Sequence, residues 1–273
     1  MTEVAQHEPF RLFWWVPKSK GINLGDEISP LVLSHVSGRE VVRGSPNDCD
    51  GIAIGSVFNP GMADARKRTK PLFVWGSGTG KPSPCSMRQM SVTISALRGP
   101  LTAGQIEGCP DVPFGDPGLF VREIWPGPAE GTERTKVGLI PHHSMLKHPA
   151  LKQFKQAFGD VVILDFTDPD IAKTLSRLAH CSRVVSSSLH GLIFADAYGI
   201  PSLFWKESET TVPWKYQDYF EGVGREGFCH RNSTEIVETT LKEGIDALPF
   251  SHLPEQRCLQ VLDGLREAVK AMP

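Results

Sequence analysis

Three serines run into a histidine and a glycine at residues 186–191, SSSLHG, between the apolar run RVV and the apolar segment LIFADAYG. A strand ending near Val185 and a helix starting near Leu189 would place Ser186, Ser187 and Ser188 in the turn and at the cap. There, hydroxyls and the unpaired N–H groups of a first helical turn form an anion site. Leu189, Ile193 and Ala197 share one helix face that can bury against a sheet, and His190 lies one step off that face, able to reach a cleft. Gly191 permits close approach, and Gly199 followed by Ile200-Pro201 ends the helix. The same residues also read as capping serines with a packed histidine, so the stretch needs partners elsewhere in the chain before it implies catalysis.

Several loops offer them. GINLGDEIS (21–29) follows the apolar run FRLFWWV; Asn23 and Gly25 allow a tight loop, and Asp26 is either a helix cap or a carboxylate able to orient or deprotonate a hydroxyl, ahead of a helix expected to reach His35. WGSGTGKPS (75–83) lacks the first glycine and the Ser/Thr of a P-loop, having Trp75 and Pro82 at those places. What remains is a glycine-rich loop, Gly76-Ser77-Gly78, that lets a ligand approach the main chain. ALRGPLTAGQI (96–106) sets Arg98 at a strand end, either as a surface cap or as a bidentate clamp for carboxylate or phosphate. In PHHSMLKH (141–148) adjacent histidines cannot easily face one ion, so no metal is expected and His142 is taken as a substrate-binding candidate. No G-x-G-x-x-G opens a helix after the first strand, so no nicotinamide or flavin cofactor is expected.

The elements that must position these residues follow from apolar periodicity. Before residue 125, runs at 10–16, 51–57, 72–75 and 91–97 alternate with turn-rich or helical segments; after 136, KVGLIPHH, an amphipathic stretch at 148–158, VVILDF, a helix capped by Thr167 or Asp168, RVVSSS, a helix from about 189 and PSLFW alternate cleanly. That order predicts an α/β fold with mainly parallel, doubly wound sheets, and ligands collecting at the carboxyl ends of the strands. WPGPAEGTERTK (125–136) breaks the pattern, which divides the chain into domains 1–125 and 136–252 with a linker at 126–135. Leu259, Val261, Leu262, Leu265 and Val269 have helical spacing and predict a terminal helix within 253–273. With 40% hydrophobic and 22% charged residues and a net charge of −2, the chain lacks the basic excess of a nucleic-acid-tracking protein. No signal peptide and no 18-residue apolar span is seen, so a cytoplasmic location is expected. Six scattered cysteines without a C-x-x-C pair read as mostly buried thiols.

Taken in order, NLGDEIS, WGSGTG, ALRGPLT, DPGLF, VGLIPHH, SSSLHGLIFADAYGIPSLFW and WKYQDYFEGVG resemble the polysaccharide pyruvyl transferase family, most of all the ketal pyruvyl transferases of bacterial exopolysaccharide synthesis, over roughly residues 10–225. The resemblance implies two Rossmann-like domains facing each other across a cleft, similar to GT-B glycosyltransferases. It implies phosphoenolpyruvate as donor, with no further cofactor, and a saccharide acceptor, free or lipid-linked, modified by a pyruvate ketal. A peripheral contact with the cytoplasmic membrane face fits the lipid-linked case. By motif match, His190 corresponds to the family's essential histidine and Arg98 to an arginine of donor binding, with Asp26 completing the catalytic set. Asn23, Gly25, Gly76, Ser77, Gly78, His142, Ser187, Ser188 and Leu189 are the expected substrate-binding positions. Many members carry arginine immediately before LHG, where this chain has Ser188; the missing charge would come from the serines, Arg183, Lys206 or Lys215. Binding of a highly anionic donor is then expected to load a proton on His190. The competing readings are a glycosyltransferase using a nucleotide sugar and a non-catalytic carbohydrate-binding module.

Overall fold

In the computed structural model, which describes residues 8–18, 21–207 and 213–273, the strands form two five-stranded parallel sheets. The first half contributes β1 (Phe10–Phe13), β2 (Val41–Arg43), β3 (Gly51–Ile52), β4 (Leu72–Trp75), β5 (Cys85–Ser86), β6 (Val92–Ala96) and β7 (Ile106–Glu107). Its sheet runs β2-β1-β3-β4-β6, and β5 and β7 pair separately. The second half contributes β8 (Lys136–Ile140), β9 (Val161–Ile163), β10 (Cys181–Ser186), β11 (Ser202–Trp205) and β12 (His230–Arg231), in the order β12-β11-β10-β8-β9. Parallel pairing needs crossover helices. These are α1 (Leu24–Glu27), α2 (Ser29–Ser37), α3 (Pro100–Ala103) and α4 (Val121–Ile124), then α5 (Ala150–Phe158), α6 (Ile171–Ala179), α7 (Leu189–Ala197), α8 (Trp214–Val223), α9 (Ser233–Glu243) and α10 (Glu255–Val269).

Strand alternation partitions the core. Phe73 and Trp75 of β4 and Val184 and Phe204 of β10 and β11 belong to one cluster shared by both halves. Their neighbours Leu72 and Val74, or Val185 and Leu203, point to the other faces into separate clusters. The shared cluster is built around α7, all nine of whose residues are buried, as expected for LHGLIFADA, a helix apolar all round. Its one acid, Asp196, is buried against Arg225 (2.8 Å) and accepts from the Tyr219 hydroxyl (2.9 Å) and the Leu253 N–H (2.9 Å). α7 therefore packs on β10 and β11 of the second sheet and on the turn Pro117–Phe120 and α4 of the first half.

Residues 126–135 contain neither helix nor strand and lead from the first sheet to the second. α10 returns to the first half, where the Trp75 indole N–H donates to the Leu265 carbonyl at 2.8 Å. Cys258, not Leu259, completes its buried stripe, and Leu259 is exposed. Other boundaries also shift. The expected helix through residue 35 is two helices meeting at Ile28, and the expected strand at 51–57 stops at Ile52, before the left-handed turn at Gly55 (φ +103°). α6 is capped by Asp170, which accepts the Lys173 N–H at 3.0 Å, instead of Thr167 or Asp168. No disulfide is formed, and of the six cysteines Cys49, Cys181 and Cys258 are fully buried while the other three are half-buried.

Candidate active site

Loops leaving the carboxyl ends of both sheets converge on a cavity of about 820 Å3, where the topology of parallel sheets places ligands. The β1–α1 loop supplies Trp15 and Asn23, and α1 supplies Asp26; the loop after β3 supplies Ser56; the loop after β8 supplies His142 and His143; the β10–α7 junction supplies Ser188, Leu189 and His190; and α8 supplies Lys215.

The three serines divide their work. The Ser186 hydroxyl accepts the Ser188 N–H at 3.0 Å and lies 3.1 Å from the Ile140 carbonyl, holding the turn. The Ser187 hydroxyl accepts the His142 N–H at 2.7 Å and ties the β8 loop to β10. Ser188 occupies the N-cap position of α7 without a side-chain cap bond and lines the cavity. The positive end of the helix thus faces the ligand space.

His190 is 7% exposed, packs against Phe194 at 5.8 Å between ring centroids, and keeps Nε2 buried without a hydrogen-bond partner. Its Nδ1 stands 1.8 Å from the place a Cβ on residue 25 would take, so only glycine fits there. Burial first, then the nearby charges of Lys215 and Arg98, lower its pKa to about 3, so the imidazole is neutral. Asp26 is the opposite case. It is 6% exposed, with Oδ2 accepting the Asn23 amide at 2.5 Å and Oδ1 against Gly55, where a Cβ would come within 2.2 Å. Burial raises its pKa to about 8 against the pull of Lys215, with Asp116 and Glu27 adding to the rise. Asp26 is therefore a carboxylic acid at neutral pH in the same cavity as a neutral imidazole, the pattern by which environments assign acid and base roles to a pair. One expected outcome concerns stability. Between pH 4 and 8 folded Asp26 keeps a proton that the unfolded chain has released, so its contribution to stability falls as pH rises through that window. Urea midpoints of Asp26→Asn should therefore gain on those of the parent protein from pH 5 to pH 8.

Lys215 lies in the first turn of α8; burial and Arg98 lower its pKa while Asp26 opposes the shift. Of the three cations named to replace the arginine before LHG, it is the one in this cavity. Arg183 sits toward the other end of β10, paired with Asp246 and over the Phe250 ring at 5.7 Å. Lys206 lines a smaller neighbouring cavity of about 380 Å3, together with Ser187, His142 and Lys215. Burial, His143 and Lys215 lower the His142 pKa to about 4.

Arg98 and the glycine loop stand behind the cavity wall. Arg98 is fully buried; its Nε donates to Asp218 Oδ2 at 3.0 Å, Nη1 to the Ser56 hydroxyl at 2.8 Å and Nη2 to the Thr79 carbonyl at 2.7 Å. Gly78 packs on this guanidinium, the Ser77 hydroxyl donates to the Gly55 carbonyl at 3.0 Å, and Gly76 (φ +77°) turns against Pro117. Trp15, Ser56 and Phe166 join the site without being sequence candidates, and His143, set aside as a metal ligand, joins it beside His142. Trp14-Trp15 directly after a strand was the available signal, since adjacent strand residues face opposite ways.

The polysaccharide pyruvyl transferase model matches residues 5–204. The chain belongs to that family. It is 26% identical over 177 residues to the succinoglycan biosynthesis protein ExoV of Rhizobium meliloti (strain 1021), covering 63% of this chain and 53% of that protein. It is 27% identical over 153 residues to the uncharacterized protein L143 of Acanthamoeba polyphaga mimivirus, covering 52% of this chain and 50% of the other. The chain thus spans about half the length of the curated relatives it matches. The family match contains Asp26, Arg98, His142 and His190 and ends before α8, so Lys215 and Asp218 lie beyond it. Among the described residues, no helix is long and apolar enough to cross a membrane and no group of three or more metal-ligating side chains forms.

Proposed function

We propose that this chain transfers pyruvate from phosphoenolpyruvate to two hydroxyls of a sugar residue in a polysaccharide or its precursor, forming a ketal and releasing phosphate. The observation that carries the reading is a protonated carboxyl and a neutral imidazole lining one cavity with a lysine and the open N-terminus of α7. We read the two sheets as facing domains of the GT-B kind, divided near 126–135, acting in the cytoplasm without a cofactor beyond the donor. An acceptor attached to lipid would bring the protein to the membrane surface.

The donor's carboxylate and phosphate need a fixed positive charge and several N–H donors, which Lys215, the α7 amides and the Ser188 hydroxyl supply. The Asp26 acid then protonates C3 of the enol, making a methyl group, while C2 takes one acceptor hydroxyl whose proton passes to the His190 imidazole. The donor's negative charge favours this imidazolium once the hydroxyl proton has arrived, so here His190 is loaded by the acceptor and not by donor binding alone. The C2–O bond to phosphate breaks, and His190 returns its proton to the leaving group. The second hydroxyl closes the ring on C2 and gives its proton to the Asp26 carboxylate, restoring the starting state. Two hydroxyl protons are lost, one proton is gained at C3 and one leaves with phosphate, so the step balances.

Phosphate release from phosphoenolpyruvate, assayed with galactosides, glucosides and N-acetylmannosaminides, is the direct test. Release with at least one acceptor is expected, and Lys215→Met should raise the KM for phosphoenolpyruvate about tenfold or more, the worth of a lost charge-assisted hydrogen bond. No release with any acceptor, together with hydrolysis of a nucleotide sugar, would move the assignment to glycosyl transfer.

A further inference from the structure

The lining of the cavity is of two kinds. Asp26, His190, Ser188 and Lys215 are polar or ionisable, whereas Trp15, Ile22, Leu146 and Phe166 are apolar. Its volume of about 820 Å3 falls in the range of sites that enclose drug-sized ligands, far beyond the needs of a three-carbon phosphate. The apolar lining has no use for a small, highly anionic donor.

Trp15 is the unusual member of that lining. The indoles of Trp14, Trp75 and Trp205 are buried, whereas Trp15 is 41% exposed at the cavity. Its orientation is set by a neighbouring ring of the same cavity. It lies nearly parallel to the His143 ring (6.3 Å between centroids, 29°), and His143 packs against His142 at 3.9 Å. His142 is in turn fixed by its ring contact with the Ser144 hydroxyl at 2.9 Å and by its own N–H to Ser187. A flat, pre-oriented aromatic surface in one cavity with polar, proton-transferring groups matches a pyranose, which carries C–H groups on one face and hydroxyls around its rim.

We infer that Trp15 is the acceptor platform: the apolar face of the sugar ring to be modified lies on the Trp15 indole, which turns its hydroxyl rim toward Asp26 and His190. The inference rests on the pyruvyl-transfer reading for its naming of the acceptor, and it adds a specificity-determining residue outside the acid–base pair. Trp15 touches the acceptor alone, so its loss separates the two substrates kinetically. Its exposure means that replacement leaves the core intact.

The test uses the full chain with lactose, cellobiose and a β-linked N-acetylmannosaminide as neutral probes. Tryptophan emission of the parent protein should change saturably with at least one of them. Trp15→Phe, which keeps a ring but removes this fluorophore, should lose most of that emission change. Trp15→Ala should raise the acceptor KM by tenfold or more, leave the KM for phosphoenolpyruvate unchanged and show a parental near-ultraviolet circular dichroism spectrum apart from the lost indole. The platform is overturned if no probe perturbs the parent emission, if Trp15→Phe responds as strongly as the parent, or if Trp15→Ala keeps the parental acceptor KM. Its failure is distinct from that of the pyruvyl reading. Saccharide binding through Trp15 without phosphate release from phosphoenolpyruvate would keep the platform and remove the donor, while release with an unchanged acceptor KM in Trp15→Ala would do the reverse.

Discussion

His190→Gln is expected to lower pyruvyl transfer by about 10²–10⁴-fold, the usual contribution of a positioned acid–base group, while leaving the protein folded. Glutamine is close to histidine in length and can occupy the slot between Gly25 and Phe194, so the shape of the site survives. What disappears is the imidazole, whose buried Nε2 has no hydrogen-bond partner, and with it the base for the attacking hydroxyl. The pH profiles carry the diagnosis. In the free protein Asp26 ionises near pH 8 and His190 protonates only near pH 3, so kcat/KM should fall on the alkaline side near 8 and hold on the acid side down to strongly acidic pH. The acid limb of kcat should lie higher, because bound donor brings negative charge that raises the basicity of His190. In His190→Gln that limb should vanish from the residual rate while the alkaline limb stays. Full activity, or an unshifted kcat profile, would remove His190 from proton transfer.

Stability gives the same residue a second readout. Unfolded His190 takes up a proton below about pH 6.5, whereas the folded imidazole stays neutral to about pH 3. Its presence thus lowers stability as pH falls from 6.5 toward 3. The urea midpoint of His190→Gln should gain on the parent between pH 7 and pH 5, the opposite trend with pH to that of Asp26→Asn.

Much of this site was legible because it is local. SSSLHG carries its own strand end, cap and first turn, and NLGDEIS its own loop; the fold adds that Gly25 exists to admit His190, a pairing across 165 positions that no local pattern encodes. The place of Arg183, a donor-site candidate by composition alone, is legible too. It precedes the buried residues Val184, Val185 and Ser186 on β10, toward the strand end away from the ligand edge of a parallel sheet. Arg98 was not legible. A polar residue at a strand end reads alike whether it caps the surface or is sealed inside, and here the decision belongs to Asp218, 120 residues later on α8.

That pair should produce the largest change in stability. Arg98 and Asp218 are both fully buried 2.9 Å apart, and Asp218 also accepts the Thr102 N–H at 2.8 Å and the Thr102 hydroxyl at 2.7 Å. Backbones close in around them: a Cβ on Gly99 would lie 1.8 Å from the Asp218 carbonyl oxygen, and one on Gly222 would lie 2.2 Å from that of Arg98. Removing one partner strands the other charge in the core, so Asp218→Ala should cost about 3–5 kcal/mol and lower the Tm by roughly 10 °C. Arg98→Met should cost a similar amount, and the double variant Arg98→Met/Asp218→Leu should recover most of it, since a buried pair replaced by apolar side chains is often neutral. Turnover should not recover with it. α8 begins with Trp214-Lys215, and Arg98 is one of the charges that hold both His190 and Lys215 below their ordinary pKa values. A stable double variant would thus carry a more basic His190, seen as an acid limb of kcat/KM moved upward from about pH 3. A single Arg98→Met variant with parental stability and a raised KM for phosphoenolpyruvate would instead make Arg98 a donor clamp, released from Asp218 when the ligand arrives.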